Sequence, residues 1–182
     1  MNPRVVLVSL DSFLYRHVSA ANTPRLHELA TNGGFASAGG RCDLPSVTYP
    51  SHASLLSGLH VGNHGVMTGK AGSPEAGVIP GWAGDSNVAR PTLFDLCRSH
   101  GLRTAAVLGD HKLFQILNAG VADSVWPPTA LVPPGFEVDL FGYATNAAIH
   151  GLALAAATDD ANDLVFIHYN ETDTAGHLHG PD

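Results

Sequence analysis

Three short stretches of the chain are almost continuously apolar: Val5 to Leu10 (VVLVSL), Arg103 to Leu108 (RTAAVL) and Leu164 to Tyr169 (LVFIHY). Runs of this length, rich in β-branched residues, read as strands buried on both faces of a parallel sheet. Between them the apolar positions recur at helical spacing. Asn22 to Thr31 has Pro24 in its first turn, an apolar stripe of Leu26, Leu29 and Ala30, and Gly33-Gly34 as a stop. Thr48 opens another helix, with Pro50 in the first turn and Ala53, Leu55 and Leu56 behind it, and Gly58 ends it. Pro91 to His100 is a helix stopped by Gly101, Lys112 to Leu117 a short one, and Ala144 to Thr158 an alanine-rich one. Phe35 to Gly39 reads as a short strand, and Val125 to Gly135 as proline-rich connecting chain. The region from His60 to Gly84 has no period and reads as a loop. Strands alternating with helices predict an α/β fold, a doubly wound and mainly parallel sheet with helices on both faces.

Composition narrows this picture. The 182 residues fit a single α/β domain over 1–182, long enough to bury a real core. A formal net charge of −7 with no Lys/Arg run argues against a nucleic-acid or anionic-membrane surface. A negative protein that handles an anion needs a local cation, and a bound metal supplies one. Cys42 and Cys97 show no CxxC spacing and read as reduced thiols. No apolar run approaches the ~20 residues of a membrane span, and the start lacks a signal-peptide pattern, so a cytoplasmic location is expected.

Candidate chemistry sits at the ends of these elements. Asp11 closes the first strand, where open α/β sheets bind ligands. Its plain alternative is a turn cap. Thr48 stands at a helix N-terminus, a place with free N–H groups and partial positive charge that suits phosphate. It reads either as an N-cap or as a nucleophile awaiting a base or a metal. Asp173 and His177, four apart after the third strand, make a metal half-site of ligand types that zinc accepts. His179 reads as a solvated neighbour. His52, His60 and His64 are not assigned to metal, and Asp110-His111 reads as a cap on the Lys112 helix. GVMTGKAG fails as a phosphate-binding P-loop, with His64 where glycine is needed and Ala71 where Ser or Thr would hold magnesium.

The combination is more specific than its parts. A strand ending in Asp11, then TYPSHASLLSG, then a strand ending in TDTAGHLHGPD resembles the alkaline phosphatase superfamily. The similar branch is the type I phosphodiesterase/nucleotide pyrophosphatase group, phosphonoacetate hydrolase-like enzymes included. TPRLHELATNGG and SGLHVGNHGV are similar as well, so the resemblance runs over nearly the whole chain. It implies an alkaline phosphatase-like fold and a hydrolase of phosphodiester, pyrophosphate or phosphonate bonds. It also implies two divalent metal ions, usually zinc, and a small phosphorylated substrate. Carried over by motif, Asp11 and Thr48 bind one metal, Thr48 is the nucleophile, and Asp173 and His177 bind the other. The Tyr49 backbone N–H could add a donor to the developing charge.

The chain also departs from the pattern. A further Asp-His pair and a later His, expected after the D-x-x-x-H motif, are missing before Asp182, so the chain reads as the N-terminal portion of a longer hydrolase domain. Val66 to Lys70 lacks the Asn expected there, with Thr68 or Lys70 as replacements. The alternative reading is therefore a catalytically incomplete fragment, or a non-catalytic module that binds a phosphate ligand. A sulfatase would need C/S-x-P-x-R and a serine hydrolase G-x-S-x-G, and neither is present.

Overall fold

Period-two alternation inside the apolar runs divides their side chains between two cores. The computed structural model describes residues 4–67 and 91–180. Its four strands are β1 (Val5–Leu10), β2 (Thr104–Leu108), β3 (Ser124–Trp126) and β4 (Leu164–Tyr169), all parallel, in the order β1-β4-β2-β3. Ala106, Leu108 and Phe166 face one core, with Tyr49, Leu56, Phe94 and Leu113. Ala105, Val107, Val165 and Ile167 face the other, with Ile149 and Ala153. Successive strand residues point to opposite faces, so each buried strand feeds both layers.

Helices cover both faces, as expected. On one side lie α2 (Thr48–Ser57), α3 (Val61–His64), α4 (Leu93–Ser99) and α5 (Leu113–Ile116). On the other lies α6 (Asn146–Thr158), which buries Ile149 and Ala153. α1 is Pro24–Asn32, and α7 (Glu171–His179) follows β4 directly. Thr92 and Asp95 close a reciprocal capping box at the start of α4. Gly58 ends α2 at φ 68°, a left-handed conformation that suits glycine.

Several expectations change. β1 is an edge strand among the described residues, and Val5 is 54% and Val8 47% exposed, so it is not buried on both faces. An apolar run records hydrophobicity but not a strand's place in the sheet. The α1 stripe is likewise open, with Leu29 69% exposed and no buried residue in the helix. Residues 35–39 form no strand, β3 overlaps the start of the stretch read as connecting chain, and the helix α3 lies in the region read as a loop. The stretch carrying Asp173 and His177 is the helix α7 rather than a loop. Both cysteines are free, as expected. Most of the GVMTGKAG segment, with Thr68 and Lys70, lies outside the described residues. No helix among the described residues is long and apolar enough to cross a membrane.

Candidate active site

In a parallel sheet every strand ends on the same side, so the residues just past β1, β2 and β4 share one edge. Those residues are Asp11, Gly109-Asp110 and Asn170. Thr48 arrives at this edge as the first residue of α2. The N-cap position belongs to Val47, and no side chain caps the helix. The threonine hydroxyl is therefore not spent on capping. It lies near the Asp11 carboxylate instead and helps to lower its pKa.

Asp11 is buried. Burial alone would raise its carboxyl. The hydrogen bond of His168, the electrostatic pull of the His168 and His52 rings and the Thr48 hydroxyl outweigh it and hold the pKa below the ordinary value. Asp11 is thus kept as a carboxylate, the form that binds cations.

Asp173 and His177 face one another across a single turn of α7, with Asp173 Oδ2 and His177 Nε2 3.5 Å apart. Ser12 donates to Asp173 Oδ1 at 2.6 Å, and Thr172 donates to the Asp11 carbonyl at 2.5 Å. These two bonds join the exit of β1 to the first turn of α7. Thr48, Asp173 and His177 line one cleft of about 200 Å³. Its walls include Tyr49, Asp110, Asn170 and the aromatic rings of Phe141 and Tyr143. Phe141 meets His177 edge-on at 5.7 Å between centroids. Thr48, Asp173 and His177 therefore share the cleft, and Asp11 stands beside it, next to Thr48 and tied through its carbonyl to α7.

The donor set fits a divalent ion. Two carboxylates, a hydroxyl and an imidazole are oxygen and nitrogen ligands of the kind zinc takes. Among the described residues they supply two donors per ion, fewer than the three or four of a complete zinc site.

The histidines near Thr48 are structural. His64 accepts the Val66 N–H at Nδ1 (3.1 Å) and turns Nε2 to the Ser54 hydroxyl (2.9 Å). His60 pairs with Asp43 at 2.7 Å. Asp110 accepts the Lys112 N–H at 2.8 Å in the turn ahead of α5, but Lys112 holds the N-cap and no side chain caps the helix, so the expected cap is not made. It is also a cleft residue. Burial is the main cause that pushes its carboxyl up, and likewise the hydroxyl of neighbouring Tyr49.

His168 was invisible to motif reasoning. With Asp11 and His52 it brings ligand-type atoms within 4.8 Å of one another, spacing that would itself suit a cation. The signal was a lone imidazole in an apolar strand run, because a buried polar group needs partners.

The family model for type I phosphodiesterase / nucleotide pyrophosphatase matches residues 5–182. The human ectonucleotide pyrophosphatase/phosphodiesterase family member 7 is 26% identical over 193 aligned positions, covering 98% of this chain and 39% of that protein. Murine ectonucleotide pyrophosphatase/phosphodiesterase 5, solved as an inactive threonine-to-alanine variant with AMP, superposes with a TM-score of 0.65 at 19% identity. That match covers 99% of this chain and 46% of the murine chain. A second structure of the same murine protein gives the same TM-score. The chain thus spans less than half the length of these relatives. Matched over nearly all its length, this chain belongs to the type I phosphodiesterase/nucleotide pyrophosphatase family.

Proposed function

We propose that this chain carries the nucleophile half of a metal-dependent hydrolase of phosphodiester or pyrophosphate bonds. The observation that carries the reading is the meeting of Asp11 and Thr48 with Asp173 and His177 beside the first turn of α2. Two divalent ions, zinc by donor type, held by Asp11 with Thr48 and by Asp173 with His177, would supply positive charge that favours the Thr48 alkoxide and steadies an in-line displacement. The Asp11 carboxylate, held ionised beside Thr48, is placed to orient the threonine hydroxyl. Thr48 Oγ forms a bond to phosphorus while the bond from phosphorus to the leaving oxygen breaks. Thr48 gives its hydroxyl proton to water, and the leaving oxygen takes a proton from water. A second water then attacks the phosphothreonine and restores Thr48. The first backbone N–H groups of α2, Tyr49 among them, have no acceptor within the helix and can meet the charge on the phosphoryl oxygens.

The neighbour crystallised with AMP supports a nucleotide-type ligand, and its inactive threonine-to-alanine form agrees with a threonine nucleophile. The Phe141 and Tyr143 walls suit a flat ring beside the phosphate. The test is Thr48→Ala assayed on a nitrophenyl ester of a nucleoside monophosphate with zinc present. Turnover should vanish while zinc uptake largely survives. Persisting turnover refutes the nucleophile. Two donors per ion favour a second reading, a phosphate-ligand module without turnover. Elemental analysis separates the two, with close to two zinc per chain for the enzyme and close to none for the module.

A further inference from the structure

His168 takes no part in the scheme above, yet it lies at the centre of the sheet. It is the fifth residue of β4, paired with Ser9 of β1 on one side and Leu108 of β2 on the other, and it is 0% exposed. A buried ring nitrogen left without a partner costs roughly 1–3 kcal/mol, so both nitrogens require an account. The backbone N–H of Asp110 donates to Nδ1 at 3.4 Å. An amide N–H can only donate, so Nδ1 bears no proton and the neutral ring carries its hydrogen on Nε2. Nε2 lies 3.3 Å from Asp11 Oδ2 and donates to it. His168 thus bridges the end of β2 and the carboxylate at the end of β1.

His52 packs edge-on against His168, with centroids 4.8 Å apart and planes at 77°. Its tautomer is the opposite one. Nδ1 donates to the Thr48 carbonyl at 2.7 Å, and Nε2 accepts from the Ser9 hydroxyl at 2.8 Å. Both nitrogens of His52 are therefore spent on protein partners. Spacing alone would let Asp11, His52 and His168 hold an ion, but their hydrogen bonds describe a support behind the carboxylate.

We infer that His168 is a positioning residue: its Nε2–H holds Asp11 Oδ2 toward the protein and leaves the other carboxylate oxygen for the metal shared with Thr48. The inference rests on the metal reading proposed above. A carboxylate already oriented by a buried donor loses less freedom when an ion binds, and partners of this kind govern metal affinity.

The test is the zinc affinity of the whole chain, by competition with a chromophoric chelator, for wild type, His168→Gln and His168→Leu. Glutamine can place an amide N–H near the Nε2 position, whereas leucine offers none. His168→Leu should bind zinc about 10–100-fold more weakly, the usual cost of losing such a partner. His168→Gln should recover most of that loss. Equal loss in both variants would make His168 a ligand itself and overturn the positioning role. Unchanged affinity in both overturns it as well. A wild type that takes up no zinc overturns the metal reading and this inference together. A second readout needs no metal and decides the matter should His168→Leu not fold. Imidazole nitrogen NMR of the chelator-treated wild type should show His168 protonated at Nε2 alone, and a proton on Nδ1 overturns the inference.

Discussion

Acid should remove stability from this protein through His52. The ring is 5% exposed, and burial, with the electrostatic influence of the His168 ring next, lowers its pKa from 6.5 to about 4 against the opposing pull of Asp11 and the Thr48 carbonyl. As pH falls, the unfolded chain binds a proton at this histidine before the folded chain does. Stability from the neutral ring is therefore complete above 6.5 and drains away as pH drops toward about 4. At about 1.4 kcal/mol per pH unit, that window is worth about 3 kcal/mol, a large share of the ~5–15 kcal/mol that holds a domain folded. Asp110 acts in the opposite sense: burial raises its carboxyl, so its contribution is lost as pH rises through the folded value. Asp11, held low, adds an acid loss of its own below the ordinary carboxylate range. A variant that keeps those groups isolates the histidine. His52→Asn retains a side-chain N–H for the Thr48 carbonyl and cannot titrate. Urea denaturation of both proteins with a chelator present, followed by circular dichroism, gives the difference between them at each pH. Wild type should lead at neutral pH, and the lead should shrink by about 3 kcal/mol between about pH 7 and about pH 4. A lead that stays constant would show that His52 is not a buried neutral ring, and the tautomer argument around Thr48 would fall with it.

Other outcomes follow from close contacts. A Cβ on Gly109 would sit 3.0 Å from the His168 carbonyl oxygen and 3.2 Å from the Asn170 amide nitrogen. Both neighbours are backbone, so Gly109→Ala should cost about 1–3 kcal/mol in urea denaturation and displace the exit of β4 that carries α7. An unchanged midpoint would contradict that packing. Phe94 is fully buried and meets Phe166 edge-on at 6.5 Å between centroids. Phe94→Ala should lose about 3–5 kcal/mol, and a loss under about 1 kcal/mol would argue against this core. Ser12 adopts φ 59° while its hydroxyl holds Asp173. Ser12→Gly should keep or slightly raise the melting temperature, because glycine is at ease there, yet weaken zinc uptake. Unaltered uptake would make the Ser12–Asp173 bond incidental.

Much of the fold was legible because it is written in local pattern. β2 and β4 announce themselves as apolar runs, and the starts of α1 and α2 by proline in the first turn. What the pattern could not carry was anything decided by neighbours across the sheet. β3 has three residues and exists because Ala105, Ala106 and Val107 stand beside it. The exposure of β1 follows from strand order, which a run of valines does not encode. α7 lacks an apolar period, and Thr174 is its one buried residue, so ETDTAGHLH reads as a loop until it is seen anchored to the exit of β1. The four candidate side chains were found because they recur in recognisable company. His168 and His52 were not linked, because their partnership depends on the register that sets Ser9 opposite His168.

That register also dictates when the cleft can form during synthesis. β4 lies between β1 and β2, so β1 has no described partner until β4 emerges from the ribosome. A nascent chain halted anywhere before Leu164 would carry Asp11 and Thr48 without the wedge that holds them beside the rest of the cleft. The cleft would then close up abruptly, close to the moment residue 177 emerges. Feeding β4 and α7 in trans as a separate peptide would be a direct way to assemble it on demand.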